Sequence, residues 1–127
     1  MSLEKIKEFS QSIYNELGPG YKENIYVIAM TTHLRKENYL FNTEVIVPIN
    51  YNGVQIGYER ADIIIYEPFK CIIEFKAQNN SLSKKEFTQL SKYKKNLTID
   101  NGILINFSNN NGKLEYYTCN DSTTLVI

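Results

Sequence analysis

Sulfur and imidazole ligands are scarce in this 127-residue sequence, which has two cysteines and one histidine. Cys71 and Cys119 are isolated, without C-x-x-C spacing, and His33 has no second histidine to assist it. A zinc site or a disulfide framework is therefore not expected. Two reduced, buried thiols fit an intracellular protein, either cytoplasmic or, if the source is eukaryotic or viral, nuclear.

Long apolar runs and an excess of either charge are also missing. No apolar stretch approaches the roughly 20 residues of a membrane-spanning helix, and the amphipathic start MSLEKIKEFSQS is unlike a secretory signal. Fourteen basic residues balance 14 acidic ones, so the formal net charge is zero. We expect no membrane association, and any surface that binds nucleic acid has to be local. The length indicates a single domain over residues 1–127.

The hydrophobic pattern starts with two helices and then changes to strands. Apolar residues three or four apart predict a helix over residues 3–17, ended by glycine and proline, and a second helix over about residues 22–38. Asn52-Gly53 between two apolar runs predicts a β-hairpin. Pro48 places the first strand of that hairpin near a sheet edge or at a bulge.

The second half of the chain predicts three or four further strands around one helix. A turn centred on Pro68 leads into the strand KCIIEFKAQ, and residues 81–97 predict a helix with a capping box at Ser83 and Glu86. NGILINFS, an NNNG turn and KLEYYTC follow, with TTLVI as a candidate edge strand. The order ααβββαββ indicates an α+β fold, a sandwich in which a mixed central β-sheet is flanked by helices.

Two of these apolar strands carry charges that buried strands rarely hold. ADIIIY contains Asp62, and CIIEFK contains Glu74 and Lys76, whose side chains emerge on one face of a strand. If the turn centres on Pro68, Asp62 lies opposite Glu74 at about 5 Å. Two carboxylates this close repel each other unless a cation lies between them. An oxygen ligand set with few protein groups suits Mg²⁺ or Mn²⁺.

A lysine beside such a metal can activate a water molecule and stabilise the charge that develops on a phosphate. The alternative is an Asp62–Lys76 or Arg60–Glu74 ion pair on a solvated sheet face. Because the flanking residues are apolar on both faces, central strands and a metal site are the favoured interpretation.

Five sequence blocks in register resemble one known family. Residues 20–26, GYKENIY, have the spacing G-x-x-E-x-x-Y, and YNGVQIGYERADIIIY, IIEFKA, FTQLSKY and GILINFS follow in order. Over roughly residues 10–120 the chain resembles the GxxExxY proteins, a branch of the PD-(D/E)xK nuclease superfamily. The resemblance implies a restriction-endonuclease-like core.

The resemblance also implies roles for the matching residues. Asp62 and Glu74 are similar to the metal-binding carboxylates, the backbone carbonyl of Phe75 to a further metal ligand, and Lys76 to the catalytic lysine. Glu23 matches an acidic residue that many members bring to the metal, although the helix dipole alone also favours a glutamate early in a helix. Alanine precedes Asp62 where proline is more usual, which leaves the carboxylate in place.

The helix over residues 81–97 carries the remaining candidates. Gln89 and Tyr93 match a Q-x-x-x-Y signature, which implies that they orient the lysine and the substrate strand; the alternative for Tyr93 is a core position. The helix also has a dense basic segment, which is either a solvated face or a surface for a phosphate backbone, and we favour the second. The predicted nucleic-acid-binding residues are Lys84, Lys85, Lys92, Tyr93 and Arg60.

These residues predict a metal-dependent nuclease that hydrolyses phosphodiester bonds, of DNA more readily than of RNA. Its catalytic residues would be Asp62, Glu74, Lys76, Glu23 and Gln89. The alternative is a nucleic-acid-binding or assembly module that keeps the fold with little or no turnover. A homodimer formed through TTLVI is a further expectation.

Overall fold

The computed structural model describes residues 3–108 and 113–118. In these residues three helices and five strands follow one another as α1 (Leu3–Leu17), α2 (Glu23–Lys36), β1 (Leu40–Tyr51), β2 (Val54–Glu67), β3 (Cys71–Lys76), α3 (Lys84–Leu97), β4 (Gly102–Phe107) and β5 (Leu114–Thr118). The predicted α+β class and the order ααβββαββ are confirmed. The NNNG turn, Cys119 and TTLVI lie outside the described residues, so the edge strand and its dimer contact stay predictions.

The five strands form one mixed sheet in the order β1-β2-β3-β4-β5. β3 and β4 are parallel and are connected through α3, whereas the other neighbouring pairs are antiparallel. β1 is an edge strand, as Pro48 predicted. The β1–β2 turn has positive φ at both Asn52 and Gly53, which is the backbone that an Asn-Gly hairpin turn requires.

Helices cover both faces of the sheet because β3 and β4 are apolar on both sides. On one face, α1 and α2 pack against the sheet through residues such as Tyr26 and Met30, which meet Ile73. On the other face, α3 packs through Leu90 against Ile72. No helix in the described part of the chain is long and apolar enough to cross a membrane.

β2 leaves the sheet where the charged residues begin. It pairs with β3 only from Ile63 to Ile65, while its pairing with β1 continues to the hairpin turn. The outer part of β1 and β2 is therefore a two-stranded ribbon beyond the main sheet. The β2–β3 pairing ends next to Asp62 and Glu74, so the two residues lie where the strands separate.

Candidate active site

Asp62 and Glu74 lie together at the point where β2 separates from β3. The last paired residues of the two strands are Ile63 and Ile73. Beyond them, backbone N–H groups bond to side-chain carboxylates instead of to backbone carbonyls. The Asp62 N–H donates to Glu74 Oε2 at 2.7 Å, and the Phe75 N–H donates to Asp62 Oδ2 at 2.8 Å. The two carboxylates are thus fixed relative to each other by two short hydrogen bonds, each made to the other strand.

Burial makes this pair of carboxylates hard to ionise. Glu74 is 5% exposed, and burial, followed by the charge of Asp62, raises its pKa to about 8. Burial also raises the pKa of Asp62, although the Phe75 N–H and the Lys76 charge oppose the rise. Since like charges repel strongly where water is excluded, the pair binds a proton at neutral pH in the absence of a cation.

Each carboxylate keeps one oxygen available. Within the described residues, no hydrogen bond reaches Asp62 Oδ1 or Glu74 Oε1. Every buried side-chain nitrogen or oxygen there has a partner, so these two oxygens are in contact with solvent. Carboxylate oxygens that lack a hydrogen-bond donor and contact solvent are the kind of ligand that a hard divalent cation prefers.

The regular alternation of strand side chains fails at Asp62. Ala61 and Ile64 both belong to the core under α3, and Ile63 belongs to the core under α1 and α2. Strict alternation would place Ala61 on the opposite face. Glu44, next to this position on β1, has φ +51°, so both strands are irregular here.

As a consequence, Asp62 lines a cavity of about 530 Å³ between α2 and the start of the hairpin ribbon, together with Glu23, Val27, Thr31 and Arg35. This space is called the α2 cavity below.

Lys76 opens onto a different space. It is half-buried and lines a groove of about 760 Å³ along α3, here called the lysine groove, with Lys84, Lys85, Lys92 and Gln89. Glu23 lines both spaces, so they meet at the start of α2.

The two ion pairs considered as alternatives are not formed. In the part of the chain that the structure describes, the salt bridges are Lys5–Glu37 and Lys7–Glu4. Lys76 nevertheless lies close enough to lower the pKa values of Asp62 and Glu74. Its ammonium is therefore near the carboxylates without being bound to either of them.

The G-x-x-E-x-x-Y segment has a clear structural role. Tyr26 is fully buried, stacks on Phe107 with ring centroids 4.3 Å apart, and its hydroxyl donates to the Gly18 carbonyl at 2.7 Å. Gly20 has φ +108°, a conformation that suits glycine. The turn and the tyrosine together fix the first residue of α2, Glu23, near the carboxylate pair.

Glu23 approaches the pair without completing a three-carboxylate site. Its charge raises the pKa values of Asp62 and Glu74. Across residues 3–108 and 113–118, however, no group of three or more His, Cys, Asp or Glu side chains is arranged to hold a metal ion. The predicted metal-ligand role of Glu23 stays a prediction.

The structure distributes the remaining candidates differently from the sequence prediction. Tyr93 is 2% exposed and packs in the core under α3, so it offers no surface to a nucleic-acid strand. It occupies the core position that was considered as the alternative. Its hydroxyl donates to the Arg60 carbonyl at 3.4 Å. Arg60 does not line the lysine groove; its guanidinium lies over the Tyr58 ring, 6.0 Å from the centroid. Gln89 does line the groove, and its Nε2 donates to Glu59 at 3.5 Å.

A second polar pair was not predicted from the sequence. Asn106 on β4 and Glu115 on β5 are 0% and 7% exposed and are hydrogen-bonded to each other at 2.7 Å. Asn106 interrupts the apolar strand GILINF as Glu74 interrupts CIIEFK. A polar residue within an apolar strand was therefore the signal that could have found it.

Comparison with known proteins is consistent with this geometry. A family model described as PD-(D/E)XK nuclease superfamily matches residues 2–118, and no curated protein matches the chain. Among solved structures, the crystal structure of SSO0001 is similar, with a TM-score of 0.54 and 23% sequence identity over 80% of this chain. The match covers 51% of the SSO0001 chain, so the present chain spans about half of that protein. This likeness concerns the fold.

Proposed function

Because the chain belongs to the PD-(D/E)XK nuclease superfamily, we propose that it hydrolyses phosphodiester bonds of nucleic acid at the Asp62–Glu74 pair with the help of a divalent metal ion. The observation that carries the proposal is the Asp62–Glu74 carboxylate pair, in which each carboxylate accepts a hydrogen bond from a backbone N–H of the other strand and Glu74 has a pKa of about 8. Such a pair is costly for a folded domain, and it becomes favourable when a cation binds.

The residues present fit Mg²⁺ or Mn²⁺. Asp62 Oδ1 and Glu74 Oε1 would supply two ligands and the Phe75 carbonyl a third, with water for the rest, as suits ions that bind through one or two carboxylates and keep several waters. When bound, such an ion lowers the pKa of water and polarises a phosphate.

Lys76 is the group that can act on the reacting atoms beside the carboxylates. Its ammonium is near Asp62 and Glu74 but is not paired with a carboxylate in the described residues. It can therefore donate a hydrogen bond to the attacking water or to a phosphate oxygen, where charge increases in the transition state.

The lysine groove brings several lysines together in a chain with no net charge. Lys84, Lys85 and Lys92 line it with Lys76, and Glu23, Glu59 and Glu86 line it as well. The three α3 lysines are exposed and can bind phosphates, which position a strand without reading its sequence. DNA is the substrate proposed first, with RNA as the second.

The test is cleavage of plasmid, linear duplex DNA, single-stranded DNA and RNA in Mg²⁺, Mn²⁺ or EDTA. We expect the wild type to cleave in Mg²⁺ or Mn²⁺ but not in EDTA. Asp62→Asn and Glu74→Gln should lose cleavage, and Lys76→Ala should cleave much more slowly. Lys94→Ala is the matched control, because Lys94 is also half-buried but lies outside the groove. No cleavage of any substrate by wild type, or equal cleavage by the variants, would contradict the proposal.

One observation favours the alternative of a binding module without turnover. No three-residue metal cluster is present in the two described stretches of the chain, so metal affinity rests on two carboxylates. Calorimetric titration with Mn²⁺, beside the cleavage assay, separates the two functions. Mn²⁺ binding and oligonucleotide binding without cleavage would support the module.

A further inference from the structure

The buried polar pair Asn106–Glu115 lies beside the proposed site and supplies none of its proposed metal ligands or reacting groups. Asn106 Nδ2 donates to Glu115 Oε1 at 2.7 Å across β4 and β5. Both side chains are almost completely buried. Burying a carboxylate is costly even when it is paired, and an apolar pair would fill the same space, so packing alone is a weak explanation for these two residues.

The other hydrogen bonds of the pair all point to one segment, residues 77–83, or stabilise the pair itself. Asn106 Oδ1 accepts from the Gln78 N–H at 3.0 Å, and Asn106 Nδ2 donates to the Asn80 carbonyl at 3.3 Å. Glu115 Oε2 accepts from the Leu82 N–H at 3.4 Å and from the Tyr117 hydroxyl at 2.9 Å. The segment is thus attached to the sheet near both of its ends.

Residues 77–83 connect the two halves of the proposed site. They start directly after Lys76, which lies beside Asn106 in the β3–β4 register. They end at Ser83, the N-cap of α3, immediately before the groove lysines Lys84 and Lys85. The segment is neither helix nor strand, so the regular hydrogen bonds of an element do not fix it, and side-chain bonds have to.

We propose that Asn106 and Glu115 are positioning residues that hold Lys76 and the start of α3 in register with the carboxylate pair. The inference rests on the proposed nuclease function. Neither residue touches the reacting atoms. Their effect is geometric, because the Gln78 N–H is two residues from Lys76 and the Leu82 N–H is two residues from Lys84.

The hydrogen-bond pattern suggests an exchange experiment. Both oxygens of Glu115 accept hydrogen bonds. In Glu115→Gln one of these oxygens becomes an NH₂ group, which then faces a donor and cannot accept its hydrogen bond. Asn106→Asp places two carboxylates together. In the double variant Asn106→Asp/Glu115→Gln, the glutamine amide can donate to the aspartate, its oxygen can accept from Leu82, and only the bond to the Asn80 carbonyl has no replacement.

Three measurements read the result: kcat and KM on a DNA oligonucleotide with Mn²⁺, amide hydrogen exchange of residues 77–83, and the thermal midpoint. We expect Glu115→Gln to lower kcat by about 10- to 100-fold, since small misplacements of catalytic groups have effects of this size, with much less change in KM. Exchange of Gln78 and Leu82 should accelerate. The double variant should recover most of both losses.

Tyr116→Phe is the matched control. Tyr116 is the next residue on β5, but its hydroxyl donates to the Leu3 carbonyl on α1 at 2.9 Å. It should lower the thermal midpoint and leave kcat and the exchange of residues 77–83 unchanged.

Two outcomes would overturn the positioning role: Glu115→Gln with wild-type kcat and exchange, or a double variant no better than Glu115→Gln. A wild type that cleaves nothing would instead reject the proposed function, and the exchange data would still report whether the pair holds the segment.

Discussion

Glu74 and Glu115 are two glutamates of nearly equal burial, 5% and 7% exposed, with opposite surroundings. Glu115 accepts hydrogen bonds from Asn106, Tyr117 and Leu82. Glu74 accepts one, from the Asp62 N–H, and has the Asp62 carboxylate as its neighbour. Burial alone therefore does not distinguish the proposed metal ligand from the proposed positioning residue; the number of donors and the neighbouring carboxylate do.

The comparison also shows how a small domain tolerates both residues. Three donors stabilise the carboxylate of Glu115 where it lies, as is usual for buried polar groups. Glu74 has no such set of donors, and burial, followed by the charge of Asp62, raises its pKa to about 8. A site that is unfavourable until a cation binds is a common compromise between stability and function.

The largest expected effect is the loss of activity in Glu74→Gln. Removing a proposed metal ligand should lower kcat on a DNA oligonucleotide by on the order of 10³-fold or more. Glu115→Gln should cost less, because that residue acts through geometry alone. Single-turnover cleavage at saturating Mn²⁺ measures both, and equal losses would remove the distinction between the two glutamates.

Stability should change in opposite directions in the same two variants. In metal-free buffer at pH 8, Glu74→Gln should raise the free energy of unfolding by up to roughly 4 kcal/mol, because it removes a carboxylate that folding makes hard to ionise. Glu115→Gln should lower it by about 1–3 kcal/mol, the cost of an unsatisfied buried hydrogen bond. Urea unfolding in EDTA measures both, and a shift of the same sign in each would contradict the comparison.

The pH dependence of stability should reveal the ionisation of Glu74. The pKa of Glu74 rises from an ordinary 4.5 to about 8 on folding, so between these values the folded state binds a proton that the unfolded state has lost. Stability should then fall as the pH rises from about 4.5 to 8, by at most roughly 1.4 kcal/mol per pH unit. Asp62, whose pKa is also raised, acts in the same direction.

Urea unfolding of the metal-free protein over this pH range measures the slope. Glu74→Gln should flatten it. A wild-type profile that is flat or rises with pH would be inconsistent with the ionisation assigned to Glu74.

The smallest effect concerns the exposed lysines of α3. Lys92 and Lys95 are both exposed on α3, but only Lys92 lines the lysine groove. Lys92→Ala should weaken oligonucleotide binding several-fold and reduce the slope of log affinity against log salt by about 1. Lys95→Ala should change neither. Fluorescence anisotropy in Ca²⁺ or EDTA over a salt series measures this, and equal effects of the two variants would contradict phosphate binding in the groove.

Much of the fold could be predicted because turn, capping and edge-strand preferences agree with the tertiary structure at these positions. Pro48 marked an edge strand, Asn52-Gly53 marked the hairpin turn, and the Ser83–Glu86 capping box is present at the start of α3. The proximity of Asp62 and Glu74 followed from counting residues to the turn at Pro68. Each of these conclusions depended on residues close in sequence or on one antiparallel register.

The site could be predicted only in part because strict alternation fails at Asp62. From the sequence, Asp62, Glu74 and Lys76 were expected on one face, whereas Asp62 lines the α2 cavity and Lys76 lines the lysine groove. Tyr93 was predicted to contact nucleic acid and is buried. Arg60 was also predicted to bind nucleic acid, but β2 no longer pairs with β3 at that position, and its guanidinium lies over Tyr58.

By itself, the sequence determined the order of helices and strands, the two apolar faces of β3 and β4, and the presence of charges that such strands do not need. These follow from hydrophobic periodicity and turn chemistry, which are short-range. Only the tertiary structure decided how many donors reach each buried carboxylate, because a donor such as the Leu82 N–H lies on a segment far from Glu115 in sequence. The sequence already pointed to Glu74 as a metal ligand, whereas the role proposed for Glu115 follows from the tertiary structure alone.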